Sequence, residues 1–229
     1  MSYNDDNKKI WDEHFSKVLV EYPNEEVVRF LASCKKYYPN GKMLDWGCAT
    51  GRHTTLGCEM GYKVIAADYV ERCIDITRKM VEEKNLSDAM LGYVVNQDVD
   101  IEEIEDNSLD VVVAAGLLLL SDKEAQGKIL KNIHRMLKKG GRAFVDFKTV
   151  KDETYITADK LGIYNENGWI VPKGYHLEGQ YVCVVPLEEI YKLIEEAGLK
   201  VEKIELNEFT EYNRTRHNSY WYITVLKEN

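Results

Sequence analysis

Cysteine and proline are both scarce in this chain of 229 residues, at five and four, and no two cysteines stand as a CxxC pair. Cys34, Cys48, Cys58, Cys73 and Cys183 are odd in number and scattered. They read as free thiols in a reducing compartment, not as a disulfide or zinc frame. Long hydrophobic runs are missing too: the longest, Val111 to Leu120, is ten residues, against the ~20 that span a bilayer. There is no basic excess, since 30 Lys+Arg face 39 Asp+Glu for a formal charge of -9. Without a basic stripe to neutralise a phosphate backbone, nonspecific nucleic-acid binding is disfavoured. The N-terminus, Met1-Ser-Tyr-Asn-Asp-Asp, is acidic where a secretory signal would be basic and then apolar, which predicts a cytoplasmic chain. No repeat, low-complexity stretch or Pro/Gly/Ser linker divides the sequence, and an apolar share of 45% suffices for one domain.

What is present is a rhythm. A helix is predicted over Asn24 to Tyr38, then a buried strand over Lys42 to Trp46, a helix from Gly51 to Met60 and a strand from Lys63 to Ala67. Glu71 to Lys84 is helical by spacing, Tyr93 to Asn96 gives a third strand, and Asp110 to Ala115 is apolar on both parities, as a central parallel strand should be. A helix from Lys123 to Leu137, stopped by Gly140-Gly141, precedes a strand from Arg142 to Thr149. This alternation implies βαβ units and an α/β, doubly wound, mostly parallel sheet. Beyond residue 150 the pattern changes. Lys151 to Tyr181 is polar, aromatic and Gly-punctuated, which suits an inserted hairpin or lid. A helix from Pro186 to Ala197 leads to strands at Lys200 to Leu206 and Tyr220 to Leu226, joined by a polar loop, Asn207 to Asn218, and therefore antiparallel.

Ligands of such sheets bind at the carboxyl ends of the strands. After the first strand stands Asp45-Trp46-Gly47-Cys48-Ala49-Thr50-Gly51-Arg52, whose small residues let the backbone pass close to a ligand. By itself this is equally a tight strand-to-helix turn. Asp68 ends the second strand, seventeen positions beyond Gly51, where a carboxylate accepts both hydroxyls of an adenosine ribose or caps the next helix. Asn96-Gln97-Asp98-Val99 follows the third strand. Asp98 there suits an adenine amino group, with Val99 and Val70 packing on the base; an ordinary surface turn is the alternative.

These segments together, Leu44-Asp-Trp-Gly-Cys-Ala-Thr-Gly, Val64 to Asp68, Gln97-Asp98, Ser108 to Val113 and Met136 to Arg142, resemble the successive motifs of class I S-adenosylmethionine-dependent methyltransferases, in register over residues 42 to 149. The resemblance implies a Rossmann-like seven-stranded sheet in the order 3-2-1-4-5-7-6 with an antiparallel last strand, and S-adenosyl-L-methionine as cofactor, leaving S-adenosyl-L-homocysteine as product. It implies that Asp45, Trp46, Gly47 and Gly51 shape the methionine end. Asp68, with Tyr69 and Val70 beside it, would take the ribose, Asp98 and Val99 the adenine, while Gly116 and Leu117 face the reactive end. Ala49 departs from the family's Gly-x-Gly-x-Gly turn. Looser similarity of Phe147 to Asp152 and His217 to Trp221 to a less characterised branch names no acceptor.

On this reading residues 1–40 form a helical lid or cap, 42–149 the cofactor core, 150–182 an insertion shaping the acceptor pocket, and 183–229 a closing helix and hairpin. Trp11 and Phe15 in Tyr3 to Phe15 suit either a lid over the cofactor or packing on the sheet edge. Methyl transfer requires alignment above all, so no catalytic residue is obligatory. His53, His176 and His217 are candidate bases, each equally a structural or solvated imidazole, and His134 reads as structural. Nothing in the Cys/His spacing points to a metal. The expected partner is a small-molecule acceptor. Two rivals remain open: a non-catalytic S-adenosylmethionine-binding protein, and a nicotinamide-dependent oxidoreductase, whose G-x-G-x-x-G turn would lack its third glycine here.

Overall fold

A computed structural model of the protein describes residues 3–97, 99, 101–165, 168–175, 178–211 and 215–228. Helix α1 (Tyr3–Phe15) is followed by α2 (Glu25–Cys34), begun by the Asn24 side chain, which accepts the Glu26 N–H at 2.8 Å. The helix stops short of the predicted Tyr38: past Cys34 the Tyr37 N–H bonds only three residues back, to the Cys34 carbonyl at 3.0 Å, in a tighter turn. Strand and helix then alternate through β1 (Lys42–Trp46), α3 (Arg52–Glu59), β2 (Lys63–Asp68), α4 (Glu71–Glu83), β3 (Met90–Val95), β4 (Leu109–Ala114), α5 (Lys123–Met136) and β5 (Leu137–Lys148). The insertion holds α6 (Glu153–Leu161) and three short strands, β6 (Tyr164–Asn165), β7 (Gly168–Ile170) and β8 (Tyr181–Val182). Helix α7 (Leu187–Glu196), β9 (Lys200–Glu211) and β10 (Arg216–Leu226) end the chain.

The principal sheet has seven strands in the order β3-β2-β1-β4-β5-β10-β9. Counted within that sheet, this is the expected 3-2-1-4-5-7-6. The first five strands pair parallel, and β10 runs antiparallel to both β5 and β9. Alternate residues of β1 and β4 enter opposite cores: Leu44 and Val112 pack with Ile129, Phe147 and Ile223, while Met43 and Val111 pack with Val27, Leu31 and Phe144. Helices on both faces explain why β4 is apolar at every position from Val111 to Ala114. Among the described residues no helix is long and apolar enough to cross a membrane.

Three sequence expectations need correction. Gly140-Gly141 lie within β5 and do not separate it from α5, because the Gly140 N–H donates to the Lys227 carbonyl at 2.7 Å and the Lys227 N–H to Gly141 at 3.0 Å. The insertion is more than a hairpin. Asp152 accepts the Thr154 N–H and starts α6, and Gly162 in the left-handed region ends it. The stretch Asn207 to Asn218 is mostly ladder: Phe209 pairs with Asn218 and stacks on Tyr220 at 6.1 Å. Backbone pairing and one aromatic contact extend that hairpin in spite of its polar composition.

Candidate functional site

The segments following β1, β2 and β4 converge on a cavity of about 340 Å³, where strand order reverses on either side of β1. After β1 the chain turns through three left-handed residues, Gly47 (φ +76°), Ala49 (φ +50°) and Gly51 (φ +85°). The glycines serve different ends. A Cβ on Gly47 would touch Leu117 at an ordinary 3.6 Å, so this position needs glycine for its backbone alone. A Cβ on Gly51 would stand 2.9 Å from Thr77 Oγ1 and Cγ2 and 3.0 Å from its Cα, so this glycine also lets the turn lie against α4. Ala49 holds the left-handed conformation at a cost of roughly 1–2 kcal/mol, and its N–H donates to Asp68 Oδ2 at 2.9 Å.

Among the described residues that line the cavity, Asp68 is the only Asp or Glu. Its Oδ1 accepts the Val70 N–H at 2.9 Å. Burial raises its pKa to about 6 against the pull of the Val70, Ala49 and Tyr69 N–H groups. A carboxylate offers about four acceptor sites, so capacity for ligand hydroxyls remains. Gly47, Tyr69, Val99, Gly116 and Leu117 line the same cavity, and a Cβ on Gly116 would meet nothing within 4 Å. The other predicted residues stand behind the wall. Asp45 is buried with Oδ2 accepting the Thr54 hydroxyl at 2.6 Å, and its pKa rises with burial to about 6. Trp46 is 1% exposed in the core, Gly51 packs on Thr77, and Val70 is the N-cap residue of α4. These positions hold the turn in shape and do not line the space; Asp98 lies outside the described residues.

Of the remaining wall, sequence reasoning offered Trp11 and Phe15 as one of two readings of the N-terminal segment and did not single out Asn7, His14 or Val20. Asn7, Trp11, His14 and Phe15 of α1 line the cavity, with Trp11 and Phe15 stacked at 5.2 Å and an Arg72–Asp12 ion pair tying α1 to α4. Thr50 and Val20 join the turn to the strap after α1, the Thr50 hydroxyl donating to the Val20 carbonyl at 2.6 Å. Arg52, directly after the turn, also lines the wall. Asp146 interrupts an apolar strand, a signal the sequence did contain. Its Oδ1 accepts the Gly116 N–H at 2.8 Å, and burial lifts its pKa to about 7.

The candidate bases separate clearly. His53 is buried in the cavity wall, not at the surface, and its Nε2 accepts the Asn24 N–H at 3.2 Å. Burial, then repulsion by Arg52, lowers its pKa to about 3. The ring is neutral with its proton on Nδ1, and its lone pair is engaged. His217 sits on β10 beside Glu208 (3.4 Å), outside the lining, and His176 lies outside the described residues. The His134 ring packs where a Cβ on Gly198 would stand, 3.1 Å from Nε2.

Comparison with known proteins adds a family. Residues 43–141 match the methyltransferase domain family. Phosphoethanolamine N-methyltransferase 1 of Triticum aestivum is 31% identical over 152 residues, 60% of this chain and 29% of the plant protein. The chain thus spans less than a third of that relative's length. Among solved structures, an S-adenosylmethionine-dependent methyltransferase of Methanosarcina mazei superposes with a TM-score of 0.66 at 16% identity, over 82% of this chain and 92% of the other. The 1,6-didemethyltoxoflavin-N1-methyltransferase of Burkholderia thailandensis, with bound 1,6-didemethyltoxoflavin and S-adenosylhomocysteine, gives 0.61 at 18% identity over 90% and 80%. At such identities the likeness speaks for the fold.

Proposed function

We propose that this chain is a class I S-adenosylmethionine-dependent methyltransferase and that it transfers a methyl group from S-adenosyl-L-methionine to a small-molecule acceptor. The observation that carries the reading is Asp68, a buried carboxylate fixed by backbone N–H groups beside a left-handed turn in the cavity wall. The cavity's volume falls in the usual range for ligand pockets, roughly 300–1,000 Å³. When bound, the cofactor supplies a methyl group on a sulfonium, open to in-line attack.

The chain's own part is to bind, orient and exclude water. Asp68 receives the ribose hydroxyls, Val99 flanks the adenine, and Gly47 and Gly116 leave room for the ligand. Leu117, Leu120 and Phe15 keep the reacting end apolar, and desolvation there favours a charge-dispersing displacement. Residues 1–40 act as the lid, with Trp11 as its main contact. Residues 42–149 hold the cofactor, 150–182 bound the acceptor's side and 183–229 complete the sheet. Directly after the insertion, the Cys183 N–H donates to the Leu119 carbonyl at 3.0 Å, which brings the end of the insertion next to the cavity residue Leu120. The five thiols, all free and buried, suit a reducing cytoplasmic compartment.

Calorimetry with S-adenosylmethionine, S-adenosylhomocysteine and NAD tests the cofactor, and a screen of metabolite fractions for a labelled methyl product tests the reaction. Both sulfur ligands should bind and NAD should not; NAD binding alone would overturn the proposal. Trp11→Ala should weaken S-adenosylhomocysteine binding by more than about 1 kcal/mol, as expected for an aromatic anchor. An unchanged dissociation constant would remove α1 from the lid role.

A further inference from the structure

Asn7 is 4% exposed on the face that α1 turns to the cavity, and among the described residues its Oδ1 accepts no hydrogen bond. A buried acceptor left unpaired costs the free protein the hydration it has given up. Asparagine is also a poor helix former, so neither packing nor propensity accounts for it there. Its place on the helix sets what it can meet. At 3.6 residues per turn, Asn7 stands about 60° around the helix from Ile10 and about 140° from Asp12. Asp12 holds the flank toward α4 through Arg72, while Ile10 holds the flank toward the insertion, where a Cβ on Gly179 would lie 4.0 Å from its Cδ1. Asn7 is thus on the insertion's side of the stripe that lines the cavity. About 12 Å of helix separates it from Phe15, beyond which the strap is tied to the glycine turn.

The α1 residues that line the cavity are Asn7, Trp11, His14 and Phe15, with no Lys or Arg among them. This wall offers an unpaired oxygen beside aromatic faces, a combination that suits a hydrogen-bond donor and tolerates a positive charge. The chain's formal charge of -9 also favours the approach of cations. Resting on the methyl-transfer reading above, we propose that Asn7 Oδ1 receives an N–H or O–H of the methyl acceptor. The acceptor is then an amine or a hydroxyl compound, with the aromatic faces and the charge favouring the amine. Molecules that offer only carboxylate or thioether groups leave the oxygen unpaired.

The test uses the whole protein and its Asn7→Leu and Asn7→Asp variants. Leucine fills similar space and accepts nothing; aspartate keeps an acceptor oxygen and gives up the amide N–H groups. Each protein is melted, titrated with S-adenosylhomocysteine, and assayed with methyl-labelled S-adenosylmethionine against diluted metabolite fractions. A cation exchanger divides those fractions, retaining amines and passing neutral hydroxyl compounds. Asn7→Leu should melt at or above the parent, bind S-adenosylhomocysteine unchanged, and transfer label roughly 10- to 100-fold more slowly, the loss typical of an acceptor left without its hydrogen bond. Asn7→Asp should keep most of the transfer. Product from the retained fraction identifies an amine and product from the flow-through a hydroxyl compound, and either meets the requirement for a donor. If Asn7→Leu weakens S-adenosylhomocysteine tenfold or more, the donor belongs to the cofactor and the proposal is overturned. Equal transfer by Asn7→Leu and the parent, a loss in Asn7→Asp as large as in Asn7→Leu, or a lower melting temperature for Asn7→Leu overturns it as well. A parent that binds S-adenosylhomocysteine yet labels nothing in any fraction would sink the methyl-transfer reading, and the inference with it.

Discussion

Gly51→Ala should unfold in urea with a stability about 2–5 kcal/mol below that of the parent, combining a left-handed alanine at roughly 1–2 kcal/mol with an overpacked contact at about 1–3 kcal/mol. The collision has a backbone component, since a new Cβ would stand 3.0 Å from Thr77 Cα as well as 2.9 Å from its side-chain atoms. Thr77→Ala in the same chain should therefore recover only part of the loss. Gly47→Ala is the internal control. Its φ of +76° is equally unfavourable, but its Cβ meets Leu117 at 3.6 Å, so it should lose only the conformational share, about 1–2 kcal/mol. Equal midpoints for the two variants would show that close packing against α4 is not what requires Gly51.

Asp68→Ala should weaken S-adenosylmethionine roughly 10- to 100-fold, equivalent to about 1.5–3 kcal/mol for a charged hydrogen-bond partner. The parent should also show a pH dependence of determined sign. Ligand hydroxyls donate to the ionised carboxylate, and burial has raised that carboxyl's pKa to about 6. Affinity should therefore be level above that pH and fall as pH drops through about 6, approaching tenfold per unit at the steepest. Asp68→Ala should be flat over the same window. Because this variant also releases the Ala49 and Val70 N–H groups, melting curves must accompany the titration. Binding that strengthens on acidification, or a variant as tight as the parent, would reject Asp68 as the ribose partner.

The sheet was readable because its signals are local. The double-parity apolar run at Val111–Ala114 marks a strand covered on both faces, and Pro186 before Leu187–Glu196 marks a helix start. The hairpin's length was not readable, since the pairing of Phe209 with Asn218 depends on a partner strand and not on the composition of either. The same distinction divides the site. Asp68, Gly47, Gly116, Leu117 and Val99, at or beyond strand ends, line the cavity; Asp45 and Trp46, at the end of β1, point elsewhere, Asp45 to Thr54 and Trp46 into the core. Neither orientation is encoded in a motif.

By itself the sequence determined the α/β class, the strand order through its family resemblance, and the turn where a ligand approaches the backbone, because periodicity and glycine placement act over a few residues. Only the tertiary structure decided which side chains share the cavity. It brought Asn7, Trp11 and His14 from α1 over a turn some forty residues away, engaged the His53 lone pair with Asn24, and set Asp146 beneath Gly116. Those contacts join segments far apart in the chain, and their geometry is fixed by helix and sheet packing, not by the residues that flank them.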